Sequence, residues 1–213
     1  MAQPTPETRA LRRRLKDLRR AIPLRERRVA ERSIARALRR LSVFRPSARI
    51  AVYLAMPGEA DLSPALAMAR AAGTRIYVPR IDNRRRRDMS FVPLVAGAAL
   101  RATVLGIREP VTAARTRIDL SRLDSILVPM VGFDRECNRL GMGGGFYDRA
   151  LRKLRRNDRR WRRPRLIGIA FACQETDRIV PAPWDVALDQ VVTERDVIDA
   201  RPARASDRPR SSE

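Results

Sequence analysis

The strongest signal for chemistry lies in the segment RLGMGGGFYDR, which runs from Arg139 to Arg149. Its glycines, Gly141 and those at 143–145, let a ligand approach the backbone closely. Successive backbone amides in such a loop point at an anion, and the helix predicted after it offers its positive N-terminal end. Arginine grips phosphate oxygens in a fork, and arginines flank both ends of the loop. The segment therefore predicts a phosphate-binding loop; a tight strand-to-helix turn that binds nothing is the alternative.

Carboxylates near this loop and in one other loop are the candidate metal and substrate ligands. Asp148 stands near the start of the predicted helix, where it either stabilises the first turn or binds Mg²⁺ beside the phosphates. Asp185, in PAPWDVALD, is a candidate second ligand, with an ordinary turn acid as the alternative. The loop MPGEAD at 56–61 holds Glu59 and Asp61, whose carboxylates either bind amines and ring N–H groups or simply face solvent.

The chain contains no histidine, which narrows its chemistry. Ser-His-Asp and Cys-His catalysis and every zinc site that needs an imidazole are excluded. The two cysteines, Cys137 and Cys173, lack metal-type spacing and suit the reduced thiols of a cytoplasmic protein. No stretch approaches the ~20 apolar residues of a membrane span, and the N-terminus lacks the apolar middle of a secretory signal. We therefore predict a soluble, cytoplasmic protein without a membrane partner.

The formal net charge is +22, from 46 basic and 24 acidic residues, which by itself indicates a polyanionic partner such as nucleic acid. However, Lys16 and Lys153 are the only lysines, and the arginines are scattered along the chain. Aromatic residues make up 5% of the chain, so stacking platforms for single strands are not evident. The pattern is typical of a compositional bias, and we expect a small-molecule substrate and no specific nucleic-acid partner.

An α/β fold must position these residues. Apolar residues at helical spacing predict two N-terminal helices, and short β-branched apolar segments predict buried strands. The predicted helices are 7–22, the segment after Pro23, a helix capped by Ser63 that ends at Gly73, and 146–156. The predicted strands are 49–55, 75–79, 89–94 at an edge, 124–131, 166–172 and 190–193, with 84–87 as an exposed loop and 95–122 as irregular chain.

This order predicts a mostly parallel central sheet with helices on both faces and an N-terminal helical pair. Ligands of such sheets bind at the carboxyl ends of the strands, so the loops after residues 55, 79, 131 and 172 should share one rim. We predict a single α/β domain over 1–198. The remainder, 199–213, is rich in Arg, Pro and Ser and is predicted to be a disordered tail.

The sequence resembles the 5-formyltetrahydrofolate cyclo-ligases, also called 5,10-methenyltetrahydrofolate synthetases. The matching segments are LRRRLKDLRRAI (11–22), IAVYLAMPGEAD (50–61), GIREP (106–110), LDSILVPMVGFD (123–134), NRLGMGGGFYDRAL (138–151), IGIAFACQ (167–174) and VALDQVVTE (186–194). They occur in the family's order and cover most of residues 9–195, and RLGMGGGFYDR is the most specific of them.

The resemblance implies that the chain is a ligase of one-carbon metabolism. The implied reaction is the ATP- and Mg²⁺-dependent closure of 5-formyltetrahydrofolate, a reduced folate, to 5,10-methenyltetrahydrofolate, with release of ADP and phosphate. The implied ATP-binding residues are Arg9, Arg12, Arg139, Leu140, Gly141, Met142, Gly143, Gly144, Gly145, Phe146 and Tyr147. The other implied roles are substrate binding by Met56, Glu59 and Asp61, metal binding by Asp148 and Asp185, and catalysis by Arg139, Tyr147 and Asp148.

Two alternatives to this function stay open at the level of the sequence. One is a basic RNA-associated or regulatory module that keeps the fold without catalysis. The other is a sugar- or nucleotide-phosphate enzyme on a similar sheet. We expect the protein to be a monomer.

Overall fold

The computed structural model describes residues 5–103, 106–111, 116–156, 163–182 and 185–200. Within these residues the helices are α1 (Pro6–Ala21), α2 (Leu24–Arg40), α3 (Ser63–Ala71) and α4 (Phe146–Arg156). The strands are β1 (Arg49–Ala51), β2 (Arg75–Asn83), β3 (Asp88–Pro93), β4 (Leu100–Ala102), β5 (Arg108–Pro110), β6 (Ser125–Pro129), β7 (Gly132–Phe133), β8 (Arg139–Leu140), β9 (Arg165–Ile169), β10 (Gln190–Val192) and β11 (Val197–Asp199).

Seven strands form the central sheet in the order β11-β10-β9-β6-β1-β2-β3. The strands from β10 to β2 pair in parallel, whereas β11 and β3 pair antiparallel at the two edges. Strand β3 returns from β2 through a turn formed by the arginines at 84–87. The predicted mostly parallel α/β fold with an N-terminal helical pair is confirmed.

Hydrophobic clusters cover both faces of the sheet. One packs Ile34 and Leu38 of α2 and Leu66 of α3 against Leu127 of β6, and the other packs Leu151 of α4 against neighbours of Leu127 in the same strand. Successive side chains of a strand point to opposite faces, so β6 needs apolar residues at consecutive positions. This explains why the sequence of β6 is a nearly continuous apolar run. It agrees with the position of β6 in the middle of the sheet.

Several local predictions need correction. Ser63 is the first residue of α3 and does not cap it; Leu62 is the N-cap, and Asp61 Oδ1 accepts hydrogen bonds from the backbone N–H (3.0 Å) and the hydroxyl (2.8 Å) of Ser63. Strand β1 ends at Ala51 and not near residue 55. The segment 95–122 is not wholly irregular, because β4 and β5 pair antiparallel within it.

The last described strand extends one residue into the segment predicted to be a disordered tail. Strand β11 ends at Asp199, and the Ala200 N–H donates to the Asp189 carbonyl at 2.9 Å. The rest of the predicted tail, 201–213, lies outside the described residues. None of the helices in the described ranges is long and apolar enough to cross a bilayer.

Gly168→Ala is expected to lower the free energy of unfolding by about 1–3 kcal/mol, because it overpacks the core. A Cβ at this position of β9 would lie 2.0 Å from Met130 Cε and 2.6 Å from Leu188 Cδ1. Urea denaturation measures the loss. The control is Gly141→Ala, whose Cβ would meet no atom within 4 Å. Equal denaturation midpoints for wild type and Gly168→Ala would contradict the prediction.

Candidate active site

A cavity of about 320 Å³ opens at the carboxyl ends of the parallel strands. Tyr53 and Leu54 after β1, Ile81 of β2 and Pro129 of β6 form much of its apolar wall, and the loop after β8 forms another side. The loop after β9 reaches the same region, since Gln174 Nε2 donates to the carbonyls at positions 130 and 131 at 3.0 and 2.9 Å. The loops predicted after residues 55, 131 and 172 therefore lie together. The loop predicted after residue 79 is wrong, because β2 continues to Asn83 and its own residues Pro79 and Ile81 line the cavity.

The glycine loop, residues 141–145, connects β8 to α4 along this cavity. Gly143 and Gly145 have φ values of +92° and +70°, in the left-handed region that favours glycine. A Cβ built on Gly141 or Gly143 would meet nothing within 4 Å, so the backbone of the loop faces open space. The loop therefore leaves room for a ligand in the cavity to approach its backbone closely.

Most of the residues assigned to ATP by resemblance surround this space. Arg139 and residues 141–147 line the cavity. Leu140 does not, because it is buried beneath the loop in a small cluster with Leu15 of α1. This packing attaches the N-terminal helix to the glycine loop.

Helix α1 also contacts the glycine loop through a polar side chain. Arg12 Nε donates to the Gly141 carbonyl at 2.9 Å. Arg9 is exposed and lies one turn earlier on the same helix. The N-terminal basic helix thus lies beside the glycine loop; its contribution to nucleotide binding stays a prediction.

Arg19 is a buried cation at this junction that sequence reasoning missed. Arg19 is only 2% exposed. Its two terminal nitrogens donate to the Met130 carbonyl (3.2 Å) and to Met142 Sδ (3.9 Å). Burial lowers the pKa of the guanidinium, and the nearby Glu59 carboxylate raises it. Arg19 therefore joins α1, the end of β6 and the glycine loop at one point.

Arg139 and Asp148 form an ion pair at the edge of the cavity. The Arg139 side chain is 4% exposed and also donates to the Val186 carbonyl, while the Asp148 side chain is 23% exposed. Asp148 stands in the first turn of α4, where the helix dipole favours a negative charge. The pair connects β8, the start of α4 and the segment at 186.

Asp185 lies next to a residue that contacts Arg139. Its Oδ2 accepts from the Ala182 N–H at 2.9 Å, and the carbonyl of Val186 is the one that Arg139 contacts. Among the described residues, no group of three or more His, Cys, Asp or Glu side chains could hold a metal ion. A metal at this site would therefore depend on few protein ligands and on oxygens of the ligand and water.

The loop after β1 places two of its three predicted substrate residues at the cavity. Met56 and Glu59 line it, and the Met56 N–H donates to Glu59 Oε2 at 3.0 Å. Burial raises the pKa of the Glu59 carboxyl, while the Met56 N–H and the positive charges of Arg19 and Lys16 lower it. Asp61 does not line the cavity; its carboxylate is bonded to Ser63, and its N–H donates to Glu31 at 3.0 Å.

Tyr147 contributes a buried hydroxyl to the cavity wall. Its oxygen has no hydrogen-bond partner among the described residues. Burial and the nearby Glu59 carboxylate raise the pKa of this hydroxyl well above its usual value. The hydroxyl is therefore protonated and available as a donor.

Comparison with known proteins decides the family. The sequence profile of the 5-formyltetrahydrofolate cyclo-ligase family matches residues 4–194. The chain belongs to this family. The resemblance noted from the sequence is confirmed, and with it the enzyme class, a ligase.

Curated cyclo-ligases from several bacteria are similar to this chain. The 5-formyltetrahydrofolate cyclo-ligase of Escherichia coli K12 is 35% identical over 144 residues, which cover 68% of this chain and 76% of the relative. That of Haemophilus influenzae is 28% identical over 165 residues, covering 76% and 84%. The matches support a catalytic cyclo-ligase, and the alternative of a non-catalytic RNA-associated module is not supported.

Solved structures agree with the cyclo-ligase fold. The NMR structure of a 5,10-methenyltetrahydrofolate synthetase from Aquifex aeolicus has a TM-score of 0.76 at 28% identity, covering 97% of this chain and 99% of that one. A synthetase from Mycoplasma pneumoniae has the same fold, with a TM-score of 0.68 at 24% identity, covering 88% and 99%.

Proposed function

We propose that this cyclo-ligase converts 5-formyltetrahydrofolate and ATP into 5,10-methenyltetrahydrofolate, ADP and phosphate in the cytoplasm, as a monomer. The observation that supports the proposal is the composition of one cavity. The glycine loop, Arg139 and Asp148 form a polar side suited to phosphates, and apolar side chains with Glu59 form a side suited to a ring. A nucleotide and a folate would meet where these sides join.

The reaction needs activation of a poor leaving group. The formyl oxygen attacks the γ-phosphorus, and the bond from that phosphorus to ADP breaks. N10 then attacks the formyl carbon, loses its proton, and phosphate leaves as the carbon–oxygen bond breaks. Such a transfer depends on positioning and charge neutralisation more than on a titrating base. A chain without histidine can therefore catalyse it.

The phosphates of ATP would lie against the glycine loop and the start of α4. The backbone amides of the loop and the positive end of the helix favour anions there. Arg12 and Arg139 would supply the flanking cations, and Arg9 would contact the nucleotide from the exposed side of α1. Open space beside Gly141 and Gly143 supports this placement.

The residues fit a magnesium ion beside the phosphates. Asp148 lines the cavity, and among the described residues only one of its oxygens, Oδ1, contacts Arg139. Mg²⁺ takes one or two carboxylates, phosphate oxygens and waters, so Asp148 would bind it first and Asp185 would be the second protein ligand. The ion would neutralise charge on the transferred phosphoryl group. Arg139 would hold the Asp148 carboxylate in place.

Met56 and Glu59 would contact the folate beside the Tyr147 hydroxyl, and Asp61 would act by fixing their loop. Tyr147→Phe is expected to raise the free energy of unfolding by about 1 kcal/mol, because an unpartnered buried hydroxyl is removed. The same change should raise the KM for the folate by about 3- to 10-fold, because the ligand loses a donor. Urea denaturation and initial rates measure the two effects.

Tyr53→Phe is the matched control for this change. The Tyr53 hydroxyl is also buried, but it donates to the Ala60 carbonyl at 3.0 Å, so its removal should lower stability. If Tyr147→Phe destabilised the protein as much as Tyr53→Phe does, the Tyr147 hydroxyl would not be unpartnered.

The activity is tested by mixing purified protein with ATP, Mg²⁺ and 5-formyltetrahydrofolate and following the methenyl product by absorbance. Product should form in proportion to ATP consumed and should not form without ATP. Absence of product with every component present would refute the proposal. Gel-shift measurements across a salt series test for nucleic-acid binding, and light scattering tests the monomer.

A further inference from the structure

Glu109 is a buried carboxylate on the cavity wall that no step above uses. It lies in β5, in the segment GIREP, and is 8% exposed. Its Oε1 accepts from the Ile81 N–H of β2 at 2.9 Å, and both residues line the cavity. This single hydrogen bond fixes the carboxyl group on the wall and leaves its second oxygen without a partner among the described residues.

Glu109 differs from Glu59 in its electrostatic surroundings. The carboxylate of Glu59 lies in the field of Arg19 and Lys16. No arginine or lysine of the described chain is ion-paired with Glu109. A buried charge is costly unless it is paired and hydrogen-bonded, and a carboxylate has about four acceptor positions, of which the Ile81 N–H fills one. The remaining positions call for N–H donors, and the cavity is where a ligand would bring them.

The proposed folate carries such donors. Its pterin ring has an N3–H and a 2-amino N–H side by side on one edge, and a carboxylate accepts two parallel N–H bonds of this kind. The wall around Glu109 is apolar, with Pro79, Ile81 and Ile107, and suits the faces of a flat ring. Phosphates would be repelled by this carboxylate and belong at the glycine loop.

We propose that Glu109 recognises the reduced pterin by accepting hydrogen bonds from its N3–H and 2-amino group. The assignment rests on the proposed function and deepens it, because it separates the two buried acids of the cavity by role. Glu109 binds the far edge of the pterin, and Glu59 lies beside Tyr147.

Glu109→Gln tests the assignment. The amide keeps an acceptor for the Ile81 N–H but replaces the other acceptor with an NH₂ group that faces the 2-amino donor. The KM for 5-formyltetrahydrofolate should rise by about 10- to 100-fold, as expected for a lost hydrogen bond to a charged group. The KM for ATP and the melting temperature should stay close to wild type. The matched control is Glu31→Gln, which is also 8% exposed and bonded to a backbone N–H but lies outside the cavity.

A substrate analogue provides a second measurement that does not need the variant to fold. The 2-desamino analogue of 5-formyltetrahydrofolate should be a poor substrate for wild type. Its KM should rise little further in Glu109→Gln. The assignment is overturned if the variant keeps the wild-type KM for the folate, or if the substitution raises the KM for the analogue as much as that for the folate. It is also overturned if the KM for ATP rises instead, which would place the adenine at Glu109. Absence of ring closure by wild-type protein would instead refute the proposed function.

Discussion

Asp148→Asn is expected to lower the turnover number by about 100- to 1,000-fold, the range found when one preorganised electrostatic contact to a transition state is removed. The carboxylate is proposed to hold Mg²⁺ against the transferred phosphoryl group, and a neutral amide holds this ion poorly. Initial rates at saturating ATP and folate, over a Mg²⁺ titration, measure the effect. Near-wild-type turnover at saturating Mg²⁺ would exclude Asp148 from the metal site.

The stability of Asp148→Asn must be measured beside its activity. The substitution removes the negative charge paired with the buried Arg139, and we expect the free energy of unfolding to fall by about 1–3 kcal/mol. Asp82→Asn is the control. Asp82 forms an ion pair with Arg80, with an N–O distance of 3.0 Å, and does not line the cavity. That variant should keep full turnover. A rate loss that followed unfolding of Asp148→Asn would indicate a structural role alone.

Gly141→Val is expected to raise the KM for ATP by about 10- to 100-fold with little change in melting temperature. A Cβ at this position meets nothing within 4 Å in the protein, so we expect the free enzyme to accommodate a small branched side chain. A nucleotide held by the backbone would meet it directly and lose one or two charge-assisted hydrogen bonds. Calorimetric titration with ATP and Mg²⁺ measures the affinity.

The graded variant Gly141→Ala should give a smaller effect in the same direction. Nucleotide binding unchanged in both variants would place the triphosphate elsewhere. A fall in melting temperature would instead show that the loop is tightly packed, contrary to the open space beside it.

Sequence patterns predicted the parts of the fold that depend on local order. The sequence of β6 is apolar because side chains pack against it on both faces of the sheet. The start of α4 is marked by the glycine segment before it, which favours a loop over a helix or a strand. Strand β11 was not predicted, since three residues next to a polar, proline-rich stretch carry no recognisable period. The hairpin of β4 and β5 was missed because each strand has only three residues, and these carry no apolar repeat.

The residues of the candidate site were predicted where they belong to a sequence motif. They were missed where only burial in the folded chain distinguishes a site residue from an exposed one. Arg139, Tyr147 and Asp148 belong to one continuous segment and come together in the cavity. Arg19 is one arginine among many on a basic helix, and no local pattern distinguishes it from an exposed one. Glu109 likewise becomes a site residue only because β5 packs beside β2.

The two acids of the loop after β1 illustrate the same limit. Glu59 and Asp61 are two residues apart and of the same chemical type. The turn of the loop directs one to the cavity and the other to the start of α3, where it bonds Ser63. This distinction depends on the backbone path, which composition does not encode.

The hydrogen bond from Arg12 to Gly141 joins positions 129 residues apart, and that from Arg19 to Met130 spans 111. At ribosomal rates of about 5–20 residues per second, the first helix waits roughly 6–26 s for the loop that it contacts. During synthesis Leu15 and Arg19 therefore lack these native partners, and the cavity stays incomplete until the glycine loop has been made. The order of translation makes docking of the N-terminus a late event in maturation of this enzyme.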